Sequence, residues 1–261
     1  MTAVPIESAT PSEVTTSLEV RDVAKSFGPV RALRGVSFHA RAGEVVGLLG
    51  DNGAGKTTLV KCLSGILQPD SGEILINGAA ASIPSPKASR SLGIETVHQD
   101  LSLIDALDVA ANLFLNREEI RGNALIRWFG WMNQGQMRRD AKATLDSLHI
   151  NIPSVRRPIV RLSGGQRQAV AVGRAVAWGQ RIVIMDEPSA ALGVEQTRLV
   201  LDLVRQLQQR NILVILITHN MQQVVEVCTR AVVLRHGSVA GDVPVGPDSA
   251  RELVDLITGA V

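Results

Sequence analysis

Apolar residues recur at two different spacings along this chain, and each spacing predicts a different kind of element. Near the start, alternating apolar positions at Leu18 and Val20 predict a strand. Gly28 and Pro29 then predict a turn, and a second strand follows to about Phe38.

Two further runs extend this opening region. The run EVVGLL at 44–49 is apolar and ends just before a glycine. The run at 74–76 precedes Asn77 and Gly78, a dipeptide that favours a tight hairpin. These early segments together predict an antiparallel sheet beside the strand at 44–49.

Later apolar runs are continuous rather than alternating. IVIM at 182–185 and ILVILI at 212–217 have the pattern of parallel strands that are buried on both faces. A helical pattern lies between them, and strand, helix and strand at this spacing predict a βαβ unit in an α/β sheet. The apolar face expected for that helix consists of Leu199, Val200, Leu203, Val204 and Leu207.

The segment from about 100 to 178 is rich in Ala, Leu and Arg and has no such continuous runs. We interpret it as a helical subdomain inserted into the sheet domain. Trp128 and Trp131 lie in it among several arginines, a mixture that suits either a nucleic acid or a helical face over a small core. We favour the helical face.

Charge and cysteine content narrow the classes of function. The chain of 261 residues has 27 basic and 25 acidic side chains, which is too balanced to indicate a nucleic-acid partner. Cys62 and Cys228 lie far apart and in no metal-type spacing, so we expect two buried thiols in a reducing compartment.

The sequence gives no sign of a membrane span, because no window reaches the ~18 uninterrupted apolar residues that a span needs. Residues 1–17 are rich in Thr, Ser and Pro and lack the basic and then apolar order of a signal peptide. We therefore expect a disordered tail at 1–17 on a cytoplasmic protein.

The string GDNGAGKTT follows the apolar strand at 44–49 and precedes a helical pattern, which is the context of a P-loop. Its glycines let the backbone N–H groups approach phosphate oxygens, and the helix that follows directs its positive end at the same anion. Lys56 supplies a charge near the phosphates, and the Thr57 hydroxyl is suited to ligate Mg²⁺. The candidate phosphate-binding residues are Gly50, Asp51, Asn52, Gly53, Ala54, Gly55, Lys56, Thr57 and Thr58.

The run IVIMDE ends in two acids, Asp186 and Glu187, at the expected carboxyl edge of the sheet. There Asp186 is placed to hold a hydrated Mg²⁺, and Glu187 is placed to polarise the attacking water. Adjacent acids before Pro188 also suit a solvated turn, so the P-loop is what makes this assignment strong.

The string LSGGQ at 162–166 allows two interpretations. Ser163 and Gln166 fit the S-x-x-Q capping box that starts a helix. A helix start that contains Gly164 and Gly165 is also a phosphate-binding surface.

GDNGAGKTT, LSGGQ and MDEP resemble, in this order and spacing, the three main motifs of the ATP-binding-cassette (ABC) family. The resemblance implies an α/β fold with a P-loop, RecA-like parallel-sheet core, an antiparallel β subdomain and the inserted helical subdomain. It covers 18–261, which we expect to form one ATPase domain. ATP and Mg²⁺ are the implied substrate and cofactor.

The resemblance also assigns roles that the residues alone leave open. Gln99 resembles the Q-loop glutamine, which contacts Mg²⁺ and water and lies at the transporter interface. His219 resembles the switch histidine at the γ-phosphate, although a lone histidine there also suits a core or a cap. Phe27 is similar to the aromatic that stacks on adenine, but also suits the core.

The family pairs two cassettes head to tail, so each ATP lies between one subunit's P-loop and the other's LSGGQ. By this resemblance Ser163 and Gly165 bind the γ-phosphate held by the opposite subunit, and Gly164 and Gln166 belong to the same ATP-binding segment. We expect a homodimer, or pairing with a separate second cassette. Gly193 departs from the family, since it stands where many members have the acid of the D-loop.

The sequences of residues 97–118 and 187–194 resemble those of the ATPases of ribose, xylose and fructose importers. Many of these ATPases carry two cassettes in tandem. This resemblance implies an ATPase at the cytoplasmic face of the inner membrane, bound to two permease subunits that a periplasmic sugar-binding protein serves. The alternatives are an importer for another solute and a soluble ABC ATPase on nucleic acid or the ribosome. A P-loop kinase or GTPase switch is opposed by LSGGQ and His219.

Overall fold

Two β-sheets of different kinds organise the chain, in a computed structural model that describes residues 16–98, 100–115, 133–177, 180–190 and 192–260. The strands are β1 (Ser17–Phe27), β2 (Val30–Arg41), β3 (Val45–Leu49), β4 (Ser71–Ile76), β5 (Ala79–Ala80), β6 (Ile94–Val97), β7 (Ile182–Asp186), β8 (Leu213–Ile217), β9 (Arg230–Arg235) and β10 (Ser238–Pro244). The helices are α1 (Lys56–Leu63), α2 (Pro86–Ser91), α3 (Val109–Leu113), α4 (Gln134–Ser147), α5 (Gly164–Ala177), α6 (Val194–Gln209), α7 (Met221–Val227) and α8 (Ala250–Thr258), with a 3-10 turn at Ile159–Arg161.

The first sheet is antiparallel, as its alternating sequence predicts. Its strand order is β2-β1-β4-β5, and Phe27 pairs with Val30 across the predicted turn. Asn77 and Gly78 both have positive φ, at 53° and 77°, as the tight turn between β4 and β5 requires.

The second sheet is mostly parallel and has the order β10-β9-β3-β8-β7-β6. Strands β3, β7 and β8 are buried along their apolar runs, which confirms the expectation for continuous apolar segments. Strands β7 and β8 pair in parallel across α6, so the predicted βαβ unit is present. This sheet brings the carboxyl ends of β3, β7 and β8 to one edge.

Apolar side chains form separate layers on the two faces of the parallel sheet. One layer lies between the sheets and includes α1, and the other lies under α5, α6, α7 and α8. Cys62 belongs to the first layer and Cys228 to the second. Burial raises the pKa of Cys62 to about 11 and that of Cys228 to about 12, so both remain neutral packing groups.

A third apolar cluster joins α3, α4 and the start of α5. The helices between 100 and 177 therefore share a core of their own, while another face of α5 packs on the sheet through Ala171, Val172 and Ala175. Trp128 and Trp131 lie outside the described residues.

One boundary and one helix face differ from the sequence expectation. Ser17 is the first residue of β1. Thr16 is buried, and its carbonyl accepts a hydrogen bond from the Ala42 N–H. The last two residues of the expected tail therefore belong to the ordered sheet region. Leu199 is 59% exposed, whereas Leu201 is buried, so the buried face of α6 is rotated from the predicted one.

Candidate functional site

The P-loop links the end of β3 to the start of α1, and its glycines are required by close contacts. Gly50 has φ 141°, and a Cβ there would lie 2.2 Å from the carbonyl oxygen of Leu234. Gly55 has φ 108°, and its Cβ would lie 2.7 Å from the carbonyl oxygen of Ala32. Only glycine adopts this backbone in this space.

Lys56 lies inside the loop that it follows. Its Nζ donates to the carbonyl oxygens of Gly50, at 2.6 Å, and Asp51, at 3.0 Å. Burial lowers the pKa of the Lys56 ammonium, while the carboxylates of Glu187, Asp51 and Asp186 oppose that shift. The ammonium therefore stands among acids that come from two different strand ends.

The rest of the loop is open to solvent around a helix start. Asp51, Asn52, Gly53 and Thr57 are exposed, Thr58 is half-buried, and Ala54 is buried beneath them. Gly55 is the N-cap of α1, and among the described residues no side chain caps that helix. The first N–H groups of α1 are thus left for an external anion.

Asp186 and Glu187 lie at the end of β7. Burial raises the pKa of the Asp186 carboxyl above its usual value, while the nearby charges of His98 and Lys56 act in the opposite direction. Glu187 has φ 50°, a left-handed backbone that is uncommon outside glycine.

His219 contacts Glu187 directly. Its Nδ1 lies 2.9 Å from the Glu187 carboxylate, and its side chain is 78% exposed. This exposure excludes the core interpretation of His219. The structure thus brings Lys56, Asp186, Glu187 and His219 to one edge of the parallel sheet.

The donor set at this edge fits Mg²⁺. Asp186 supplies one carboxylate and Thr57 one exposed hydroxyl. No group of three or more His, Cys, Asp or Glu within the described part of the chain is arranged as a metal cage. Mg²⁺ usually takes one or two carboxylates and completes its shell with water and substrate phosphate, so this sparse set suits it. Gln99, the third expected ligand, lies outside the described residues.

The capping box expected in LSGGQ is present at the start of α5. The Gln166 N–H donates to Ser163 Oγ at 3.3 Å, and the Ser163 N–H donates to Gln166 Oε1 at 3.1 Å. The cap and an external role are compatible, because Ser163 remains exposed at the helix end.

The two glycines of LSGGQ are also packing positions. A Cβ on Gly164 would lie 2.8 Å from Leu192 Cδ2, and one on Gly165 would lie 3.0 Å from Gln196 Cβ. Gly193 is the N-cap of α6, and its N–H donates to Gln196 Oε1 at 2.8 Å. Although Gly193 replaces the acid that many family members have, the start of α6 is well formed, and it packs against the first turn of α5.

Phe27 is 47% exposed at the last position of β1, which excludes the core interpretation of this ring. Lys25 Nζ lies 5.9 Å from the ring centroid. The Phe27 ring is therefore partly exposed to solvent beside the hairpin turn.

The geometry agrees with comparison to known proteins. A family model described as ABC transporter matches residues 33–190. The chain belongs to the ABC transporter family. It is an ATP-binding cassette of the transport ATPase class, and the predicted family and fold class are confirmed.

Curated relatives of this cassette are ATP-binding proteins of import systems. The xylose/arabinose import ATP-binding protein of Sulfolobus acidocaldarius is 46% identical over 241 residues, or 92% of this chain and 93% of the relative. The fructose import ATP-binding protein of Rhizobium meliloti is 42% identical, over 84% of this chain and 85% of the relative. The ribose import ATP-binding protein of Chromobacterium violaceum is 38% identical over 92% of this chain, which spans only 46% of that relative.

Solved cassettes share the fold. An ATP-binding cassette of an ABC transporter in its ADP conformation superposes with a TM-score of 0.78 at 24% identity, covering 94% of this chain and 99% of that one. A nucleotide-free cassette gives 0.77 at 23% identity, covering 92% and 95%. Within the described residues of this cassette, no helix is long and apolar enough to cross a membrane.

Two polar residues at the site escaped the sequence analysis. His98 lies near enough for its charge to oppose the rise that burial causes in the pKa of Asp186. Gln223 bonds to the loops on either side of the Glu187–His219 contact. His98 adjoins the noted Gln99, but nothing in the pattern marked Gln223, which sits within a short helix after His219.

Proposed function

We propose that this cassette hydrolyses ATP to drive import of a simple sugar through a separate permease. The observation that supports ATP hydrolysis most directly is the meeting of Lys56, Asp186, Glu187 and His219 at one sheet edge. The sugar class is supported by the xylose/arabinose, fructose and ribose import relatives.

The phosphates of ATP bind in the P-loop. The uncapped start of α1 offers backbone N–H groups and a positive dipole end. Lys56 Nζ exchanges its bonds to the Gly50 and Asp51 carbonyls for phosphate oxygens, which are charged and therefore stronger acceptors. Phe27 offers its exposed ring to the adenine.

Glu187 orients the attacking water, since a carboxylate at this edge accepts a proton from water facing the γ-phosphate. His219 holds the Glu187 carboxylate by its Nδ1 contact and is exposed enough to reach a phosphate oxygen with its other ring nitrogen. Thr57, Gln99 and Asp186 are the residues that would hold Mg²⁺, which neutralises phosphate charge during transfer.

The LSGGQ segment serves a second subunit. Ser163 is exposed at the start of α5, a helix end whose dipole favours an anion, and its Oγ accepts from the Gln166 N–H. In a head-to-tail homodimer, Ser163, Gly164, Gly165 and Gln166 contact the γ-phosphate held by the other copy. ATP then joins the subunits, and its hydrolysis releases them.

A role in sugar import requires further protein partners. Two permease subunits bind the cassette at the cytoplasmic face of the membrane, and an external binding protein delivers the sugar to them. The near-neutral charge gives no support to a nucleic-acid partner.

Disruption of the gene in its own cell tests this proposal through uptake of labelled xylose, arabinose, ribose and fructose. We expect uptake of at least one sugar to fall, to be restored by the wild-type protein, and not to be restored by Lys56→Ala. Unchanged uptake of all four sugars would refute the sugar assignment. Sedimentation of the protein with ribosomes or DNA rather than with membranes would refute the transport assignment.

A further inference from the structure

Gln223, in the first turn of α7, joins the two loops that carry Glu187 and His219. Its side-chain Oε1 accepts hydrogen bonds from Ser189 Oγ at 2.8 Å and from Thr218 Oγ1 at 3.2 Å. Ser189 follows Glu187 by two residues, and Thr218 precedes His219 by one. We call the side chains of Ser189, Thr218 and Gln223 the Gln223 clasp.

Further hydrogen bonds hold the clasp at the start of α7. Asn220 caps α7, with its Oδ1 accepting from the Gln222 and Gln223 N–H groups. The Asn220 N–H donates to Thr218 Oγ1 at 3.1 Å, which fixes that hydroxyl from the other side. Gln223 itself is only 7% exposed, so its amide is shielded from competing water.

The loops that the clasp joins need an external restraint. Glu187 has φ 50°, a strained backbone conformation for a non-glycine residue, which persists only when its surroundings hold it. The Glu187 N–H donates to the Ile217 carbonyl at 2.9 Å, but this bond lies on the other side of the residue from Ser189. On the carboxyl-terminal side of Glu187, the Ala190 N–H donates to the Glu187 carbonyl at 3.3 Å, but this bond stays within the same loop. The clasp ties that loop to α7 through Ser189.

We propose that Gln223 is a positioning residue for ATP hydrolysis, which sets the spacing between the Glu187 carboxylate and the His219 ring through Ser189 and Thr218. Gln223 touches no reacting atom itself. The effect of Gln223 on ATP hydrolysis rests on the proposed function, whereas its hydrogen bonds to the two loops do not depend on that function.

Steady-state kinetics of ATP hydrolysis distinguishes a positioning role of Gln223 from a general effect on folding, because kcat and KM are measured separately. Gln223→Leu keeps the side-chain volume and removes the acceptor, so we expect kcat to fall roughly 10- to 100-fold, because small misplacements of reacting groups are costly. The KM for ATP should stay within about twofold, because the P-loop is untouched. Gln223→Glu retains the acceptor oxygen and should restore most of the turnover.

Gln222→Leu is the matched control, since Gln222 is exposed and adjacent on the same helix. It should leave both kcat and KM unchanged. Ser189→Ala removes one hydroxyl with little risk to folding, and should lower kcat in the same direction as Gln223→Leu. Because both changes open one clasp, combining them should cost less than the product of the two effects.

Hydrogen exchange in the nucleotide-free protein gives a readout that does not depend on hydrolysis. We expect amide exchange at 187–190 and at 218–220 to rise together in Gln223→Leu but not in Gln222→Leu. Unchanged exchange in both loops would overturn the clasp whatever the activity. If Gln223→Leu lowers kcat and raises KM together, and Gln223→Glu restores neither, Gln223 has only a structural role. A wild-type protein that releases no phosphate would overturn the proposed function, while exchange would still decide on the clasp.

Discussion

Replacing Gly50 by alanine should destabilise the nucleotide-free protein far more than the same change at Gly53. At Gly50 the added Cβ would lie 2.2 Å from the Leu234 carbonyl oxygen, which belongs to the backbone of the neighbouring strand β9 and cannot rotate away. At Gly53 no other described heavy atom lies within 4 Å of the Cβ position. Both glycines have positive φ, at 141° and 80°.

The magnitudes follow from the close contact at Gly50 and its absence at Gly53. Left-handed backbone costs an alanine about 1–2 kcal/mol, and this cost is common to both variants. Forcing a methyl group into packed surroundings adds about 1–3 kcal/mol, and this cost falls on Gly50→Ala alone. We therefore expect a loss of about 2–5 kcal/mol for Gly50→Ala and about 1–2 kcal/mol for Gly53→Ala.

Urea unfolding without nucleotide measures this difference free of any effect on ATP binding. Gly53→Ala is the matched control, because it changes the same loop by the same atoms. The midpoint should fall further for Gly50→Ala with the slope unchanged. Equal midpoints would refute the close packing of the P-loop against β9.

Three further predictions concern charge and assembly. Lys56→Ala should weaken ATP binding by at least about tenfold in a calorimetric titration, because the phosphates lose a charged partner, and unchanged affinity would remove Lys56 from the site. Ser163→Arg should leave ATP binding by the monomer intact but prevent the ATP-dependent dimer seen by light scattering; a dimer that still forms would reduce LSGGQ to a helix cap. Burial raises the pKa of Asp186, so folding disfavours its ionised form and the stability that it contributes falls as pH rises through the carboxyl range. Asp186→Asn should therefore raise the Tm of the nucleotide-free protein at pH 7 while turnover is lost, and a lower Tm would contradict this argument.

Much of the fold follows from spacing alone. Continuous apolar runs predicted β7 and β8 because a parallel strand with both faces buried has no polar side to show. Asn77 and Gly78 predicted the turn between β4 and β5 because both positions require positive φ. The same logic placed Asp186 and Glu187 at a sheet edge, since parallel strands end together.

Other features depend on contacts that no local pattern encodes. Leu199 fits the apolar stripe of α6 but faces solvent, because α5 and the sheet meet a face of α6 that includes Leu201 instead. In the sequence Gln223 is an ordinary polar residue of a short helix. Only the fold brings Ser189 and Thr218 within hydrogen-bond distance of it. His219 and Glu187 are 32 residues apart, and only the adjacency of β7 and β8 makes them partners.

The decisive measurement for the role of Glu187 is the ATP turnover of Glu187→Gln, followed as phosphate release together with the molecular mass of the ATP-bound protein. We expect wild-type affinity for ATP, turnover lowered by about 10²–10⁴-fold through loss of the general base, and a dimer that persists with ATP bound. Turnover at the wild-type rate would contradict the assignment of Glu187 and, with it, the proposed mechanism.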